Sequence, residues 1–259
     1  MNELPEYLLR LGDDALIAAQ RLGEWVASAP EMEEDIALAN IALDQIGAAR
    51  LLLSYAGELM TAAGATAAGN GGPVTEDSLA FLRDDREFRN CLLVELPNGD
   101  FAVTMAKLLF LSAYQRHLYD WLVGSSDERL AGIAAKARKE SAYHLDHSAQ
   151  WVIRLGDGTE ESHRRMQAAV DEVWPYTQEL FLADELTSRL DEAGVAAAPA
   201  TLRDGWLAIV EPVLAEATLT RPADGWAPSG GRQGLHTEHL SYLLAEMQVL
   251  HRAHPGAQW

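Results

Sequence analysis

One stretch of the chain places carboxylate and imidazole side chains at helical spacing. In the segment KESAYHLDHSAQW, Glu140 is followed by His144 at i+4, and His147 comes three residues later. Residues at these spacings share one side of a helix. Helical bundles use such side chains as ligands for iron, and they can also form a single mononuclear site. The stretch therefore raises the question of a metal centre that carries out oxygen chemistry.

A di-iron bundle requires a stricter pattern than this stretch provides. It takes one Glu from each of two helices and a Glu-x-x-His from each of two others. The residue three places after Glu140 is Tyr143, and the residue three places after Asp44 is Gly47. We interpret Gly47 and Tyr143 as positions at which di-iron ligands have been lost.

Other histidines near acids are more typical of helix starts than of metal sites. Glu160 and His163 have the i+3 spacing, but they lie in the polar segment DGTEESHRR, where acids favour a helix start through its dipole. His236, Glu238 and His239 surround the predicted start of the last helix, in a segment typical of a helix cap. We expect neither group to bind metal.

These residues belong to a chain whose hydrophobic periodicity is helical throughout, which predicts an all-α fold. Long helices joined by short loops favour a four-helix bundle with additional flanking helices. We expect one domain over 1–259, with a flexible glycine-rich linker at 61–77 within it. The predicted helices lie at roughly 4–28, 31–63, 77–95, 100–123, 127–155, 159–193, 201–218 and 236–253.

Two predicted helices carry polar side chains on the face that should be buried. In the fourth predicted helix Lys107 shares a face with Phe110 and Tyr114. In the fifth, Glu140 shares a face with Ile133. A buried polar group costs about 1–3 kcal/mol unless it is hydrogen-bonded. A Lys107 ammonium at the bundle centre would replace the charge of a missing metal ion. The predicted buried polar seam consists of Glu24, Asp44, Lys107, Glu140, Tyr143 and His144.

Composition excludes several classes of function. The chain has 39 Asp and Glu against 20 Lys and Arg, so its formal net charge is −19. Such a surface repels nucleic acid and anionic lipid, and it suits either a solvated monomer or docking onto a basic partner. The single cysteine, Cys91, excludes an internal disulfide. The N-terminus lacks the basic region of a signal peptide, so we expect a cytoplasmic protein with no membrane segment.

Five stretches, taken in order, resemble the PaaC family, the C subunits of bacterial phenylacetyl-CoA monooxygenases, which are also called ring 1,2-epoxidases. The resemblance runs from near the first residue to the C-terminal PGAQW, and only the glycine-rich segment at 61–77 departs from it. The five stretches are LRLGDDALIAAQRLGEW, DIALANIALDQIGAARLLLSYA, FLRDDREFRNCLLVELPNGDFAVTMAK, KESAYHLDHSAQWVIRLGDGTEES and GLHTEHLSYLLAEMQVLHR.

The resemblance implies a ferritin-like bundle that is the non-catalytic partner of a catalytic A subunit. In such a complex the A subunit holds the di-iron site, a small B subunit joins the assembly, and a reductase subunit with FAD and an iron–sulfur cluster delivers electrons from NADPH. The resemblance implies no cofactor in this chain. No catalytic residue carries over, because Gly47 and Tyr143 do not match the iron-binding pattern.

Two alternatives remain open at this point. The chain can be an independent metal-binding oxidoreductase that uses Glu140, His144 and His147. It can also be an acyl-CoA binding module, for which the basic clusters KARK at 136–139 and SHRR at 162–165 would have to hold phosphate. We interpret both clusters as solvated helix faces. A chain isolated from its partner is also expected to form a homo-oligomer.

Overall fold

The structure is a computed structural model that describes residues 3–68, 71–255 and 257. Every regular element in these residues is a helix. The predicted all-α fold class is therefore confirmed. The described chain divides into two compact units. Unit 1 comprises Met1–Ser28, Asp35–Pro97 and Gly230–Trp259, and unit 2 comprises Ala29–Glu34 and Asn98–Ser229. That both units belong to one domain stays a prediction.

Unit 1 contains two long helices and several short ones. Pro5 lies in the first turn of α1, where its missing N–H costs nothing. Arg21 and Glu24 form an ion pair across the last turn of α1. The helices are α1 (Leu4–Gly23), most of α2 (Met32–Ala62), α3 (Glu76–Phe81), α4 (Leu92–Glu95) and α10 (Glu238–Ala253).

Unit 2 is built on α5 and α6, which pack along one another, with α7 and α9 against them. Asp100 caps α5 by accepting a hydrogen bond from the Val103 N–H at 3.1 Å, and Thr159 caps α7 with Ser162 in a reciprocal capping box. Both predicted helix starts are confirmed. The helices are α5 (Phe101–Leu122), α6 (Glu128–Gly156), α7 (Glu160–Thr177), α8 (Glu185–Glu192) and α9 (Arg203–Glu216).

The prediction of one continuous helix over 77–95 is wrong. The segment instead forms α3, a single 3₁₀ turn at Asp85–Glu87 and the short α4. Side-chain bonds explain the interruption, because the Asp84 N–H donates to the Glu87 carboxylate at 2.8 Å and the Arg83 guanidinium turns inward to Asp13. The same guanidinium donates to the backbone carbonyls of Leu79 and Glu87, at 2.5 and 3.0 Å, and so satisfies acceptors at the interruption.

The helix predicted at 159–193 also ends early. α7 stops at Thr177, a 3₁₀ turn follows at Gln178–Phe181, and α8 begins after Asp184. Asp184 accepts a hydrogen bond from the Thr187 N–H at 2.9 Å and so starts a separate helix. The hydrophobic periodicity continues through this break, which is why the sequence pattern did not reveal it.

The glycine-rich segment is anchored where the structure describes it. Ala67 and Val74 are buried, and the Val74 N–H donates to the Thr61 hydroxyl at 2.9 Å. Gly57 lies so close to the Val74 carbonyl that a Cβ at this position would be 2.6 Å from that oxygen. Residues 69 and 70 lie outside the described residues. Flexibility of the segment stays a prediction.

Helix α2 is the only helix in the described ranges that is long and apolar enough to cross a membrane. This property rests on the length and composition of the helix alone. Of its apolar stretch of 18 residues, 44% is buried inside the protein. A core helix of a soluble protein has the same properties. The expectation of no membrane segment stays a prediction.

Candidate functional site

The buried face of α6 differs by one residue from the face expected from its polar side chains. Ser141 is buried where Glu140 was expected, and Ser148 is buried beside the half-buried His147. Adjacent positions on an α-helix differ by about 100° in direction, so this shift moves the carboxylate to the edge of the helix face. The buried residues of α6 are Leu130, Ile133, Ala134, Ala137, Ser141, His144, Ser148, Val152 and Gly156.

Small side chains allow α5 and α6 to approach closely at this face. The hydroxyl oxygens of Ser112 and Ser148 lie 3.3 Å apart. Ser148 donates to the His144 carbonyl at 2.8 Å, and Ser112 donates to the Leu108 carbonyl at 2.6 Å. Each hydroxyl is therefore satisfied largely by its own helix. The centre of the pair is a packing contact between small residues.

Two of the six residues of the predicted polar seam are buried. Lys107 and His144 are buried in unit 2, with 8% and 2% of their surface exposed. Glu140 is half-buried in unit 2, and Asp44 is half-buried in unit 1. Glu140 is only half-buried because the buried face of α6 is shifted by one residue. Asp44 is only half-buried because it lies at the edge of the buried face of α2.

Glu24 and Tyr143 are not part of any buried seam, so this part of the prediction is wrong. Glu24 follows the last residue of α1, and its carboxylate lies 2.7 Å from Arg21 at the surface. Tyr143 is 53% exposed. It cannot face inward, because the buried stripe of α6 runs through His144 and leaves the preceding position outside. Gly47, the other position assigned to a lost ligand, is partly exposed on α2.

The three side chains of the proposed mononuclear site do not converge. The Lys136 ammonium donates to Glu140 Oε1 at 2.5 Å, and Nε2 of His147 lies 3.2 Å from Oε2 of Glu34. Among the described residues, no group of three or more His, Cys, Asp or Glu side chains is placed to hold a metal ion. The donors therefore fit neither a di-iron centre nor the mononuclear alternative.

His147 and Glu34 line an open polar pocket of about 270 Å³ in unit 2. Neither facing atom makes an aligned hydrogen bond, although both are shielded from solvent. The Arg154 guanidinium lies over the Trp151 ring, 4.7 Å from its centroid. The other lining residues are Tyr143, Asp146 and Gln150.

The remaining candidate groups have structural partners. Nδ1 of His163 lies 2.7 Å from the Gly156 carbonyl oxygen, at the junction of α6 and α7. The KARK and SHRR clusters are engaged in surface ion pairs, in which Lys136 contacts Glu140 and Arg165 contacts Glu161. Arg164 and Arg165 hydrogen-bond Glu161 and lower the pKa of that carboxyl to about 2. Lys136, Arg164 and Arg165 are therefore paired with carboxylates of the chain itself.

A buried polar network lies in unit 1, and no sequence pattern predicted it. Asp13 forms two hydrogen bonds with the Arg83 guanidinium, at 2.5 and 3.0 Å, and Asp14 forms two with Arg232, at 2.7 and 2.9 Å. Both carboxylates are buried. The available signal was a pair of adjacent acids within the apolar first helix, in LRLGDDALIA.

A third carboxylate completes this network. Glu95 is fully buried and lies 2.8 Å from Nδ1 of His236, and it accepts hydrogen bonds from the Thr237 N–H and the Asn90 amide. Thr237 precedes α10 but makes no side-chain cap bond. The network ties the C-terminal segment of unit 1 to α1 and to the chain between α3 and α4. The network has a structural role, because each of its three carboxylates is already hydrogen-bonded within unit 1.

The described residues form long helices, and no group of their side chains is placed to hold a metal ion. The class of protein follows from the similarity of the chain to known proteins. It belongs to the family of phenylacetic acid catabolic proteins, the PaaA and PaaC proteins, whose family model matches residues 1–259. The ferritin-like, all-α fold class predicted above is that of this family.

A particular relative narrows this assignment. The chain is 51% identical over 259 residues to the C subunit of 1,2-phenylacetyl-CoA epoxidase from Escherichia coli strain K12, and the match covers 100% of both chains. The predicted resemblance to C subunits is confirmed.

Proposed function

We propose that this chain is the non-catalytic structural subunit of a multicomponent phenylacetyl-CoA epoxidase in aerobic phenylacetate degradation. The observation that carries the proposal is the full-length similarity to the C subunit of such an epoxidase. The donor geometry supports it, since the Glu140 carboxylate is held by Lys136 and the His147 imidazole faces Glu34. On this proposal the chain pairs with a catalytic A subunit.

The chemistry of such a complex would lie in its other subunits. The A subunit would hold the iron that activates oxygen, and a reductase with FAD and an iron–sulfur cluster would supply electrons from NADPH. A small B subunit would join the assembly. This chain would support the A subunit in the cytoplasm, and its net charge of −19 suits contact with a basic surface.

The experiment is elemental analysis of the purified chain for iron, manganese and zinc, in parallel with co-purification with the A subunit. We expect less than about a tenth of a metal ion per chain and a stable complex of the two proteins. Stoichiometric metal that disappears in His144→Ala would instead show a metal site at His144 and favour the alternative of a metal-binding protein. Failure of the wild-type chain to retain the A subunit would overturn the structural role.

A further inference from the structure

Helix α2 presents an apolar stripe to solvent. Ile36, Leu43 and Ile46 are 57%, 63% and 46% exposed. Their spacings of seven and three residues place them along one side of the helix, as in the seam of a helix pair. The opposite side of α2 is buried through residues such as Leu38 and Leu52. The helix is therefore apolar on two sides, and only one of them is covered within the described residues.

The stripe leads into an apolar pocket of about 240 Å³ in unit 1. Ile46 lies at its edge, so the stripe and the pocket form one continuous surface. The Phe81 ring forms part of its wall and is stacked on His251, with ring centroids 4.9 Å apart. The apolar lining is completed by Leu16, Ala49, Leu53 and Ala80.

The size of the pocket indicates what can enter it. Small-molecule sites usually enclose about 300–1,000 Å³. A smaller apolar pocket beside a helical stripe suits one bulky side chain of a docked helix, as in helix-in-groove recognition. A ligand of coenzyme A size does not fit this space.

The rim of the pocket carries an acidic excess. Arg50 Nε lies 3.5 Å from Glu76 Oε1, and the Arg50 side chain is 74% exposed, so this surface pair is loose. Asp77 also lines the pocket and is exposed. Two carboxylates and one guanidinium leave a local negative charge, on a chain whose net charge is −19. Electrostatics therefore favour a basic partner over a second copy of this chain.

We propose that the α2 docking surface, defined as Ile36, Leu43, Ile46 and the adjoining pocket, receives an amphipathic helix of a different, basic protein. A bulky apolar side chain of that helix fills the pocket, and a Lys or Arg beside it faces Glu76 and Asp77. This inference rests on the proposed function in one respect, since it takes the A subunit as the source of the helix.

The test measures the affinity of the purified A subunit for surface variants of the full chain by surface plasmon resonance. Leu43→Asp and Ile46→Asp place a charge in the apolar contact and should weaken binding at least about thirtyfold, as at an interface hot spot. Asp77→Lys should slow association and reduce its dependence on salt. The matched control is Tyr242→Asp on α10, where Tyr242 is 69% exposed, and it should change affinity less than about threefold.

The outcomes separate this inference from the proposed function. Circular dichroism and thermal unfolding first establish that each variant is folded. If the wild-type chain does not bind the A subunit, the proposed function is wrong. Wild-type binding that survives both α2 substitutions, or that Tyr242→Asp weakens equally, overturns the α2 docking surface alone. If Leu43→Asp dissociates a homodimer without weakening binding of the A subunit, the occupant is a second copy and the proposal is wrong.

Discussion

Nδ1 of His236 lies 2.8 Å from Oε2 of Glu95, and Nε2 of the same ring lies 3.1 Å from the Phe88 carbonyl oxygen. A carboxylate and a carbonyl can only accept hydrogen bonds, whereas a neutral imidazole has one N–H to donate. We infer an imidazolium with both ring nitrogens protonated, because each nitrogen then donates to one of the two acceptors. The two side chains are buried, with 4% and 0% of their surface exposed, and on this inference they form an ion pair.

Removing one member of this pair should destabilise the protein strongly. We expect His236→Gln to lower the free energy of unfolding by about 3–5 kcal/mol, because the Glu95 charge remains buried without its counter-charge. Urea denaturation measures this change. His239→Gln, three residues away, is the control and should cost less than about 1 kcal/mol. A loss below about 1 kcal/mol in His236→Gln would show that the ring is not charged, as would ¹⁵N spectra with one unprotonated ring nitrogen.

The closeness of α5 and α6 predicts opposite results for two substitutions at one position. Ser148→Ala should be nearly neutral, because its hydroxyl bonds within its own helix. Ser148→Leu should cost about 1–3 kcal/mol or more, because the added carbons meet Ser112 across the contact. Thermal and urea unfolding measure both variants. Equal stability of the Ser148→Ala and Ser148→Leu proteins would contradict the close contact.

The hypothesis that Lys107 replaces the charge of a metal predicts a loss in Lys107→Met. Lys107 is buried, so if its ammonium balances buried carboxylates, its removal should lower stability by about 3 kcal/mol and weaken pairing with the A subunit. Unfolding and co-purification provide the two measurements. Lys139→Met, at an exposed position of α6, is the matched control. A Lys107→Met protein as stable and as able to pair as the wild type would end the hypothesis.

The carboxyl group of Asp224 predicts a pH dependence of stability. Burial acts to raise the pKa of Asp224, but the hydrogen bond from Trp174 and the charges of Arg221 and Arg203 outweigh it and lower the pKa. A carboxyl whose pKa is lowered on folding contributes stability above its ordinary pKa, and that contribution is lost as the pH falls through the lowered value.

The substitution Asp224→Asn tests whether the stability contribution of Asp224 is lost as the pH falls. It should cost about 1 kcal/mol at pH 7, a small value because the ion pairs are partly exposed, and the difference from wild type should shrink below about pH 4. Glu216→Gln, exposed in the same unit, is the control. Unfolding curves between about pH 7 and pH 3 that keep the difference constant would contradict the assignment.

The sequence by itself determined the fold class, the starts of α5 and α7, and the family. These features depend on local order along the chain. Periodicity predicts helices, and Asp100 and Thr159 cap them through bonds to residues three positions away. The resemblance of five long stretches to C subunits is likewise visible in the sequence alone. The family match over residues 1–259 confirms the family.

Tertiary structure alone decided which side of α6 is buried. The spacings of Glu140 and Ser141 fit a helical stripe equally well, and only packing of small side chains against α5 selects the serine. The same holds for the break within 77–95, since Arg83 turns toward an acid 70 residues away. His236 meets Glu95 across 141 residues of chain. Such pairings follow from how distant segments pack, and no local spacing encodes them.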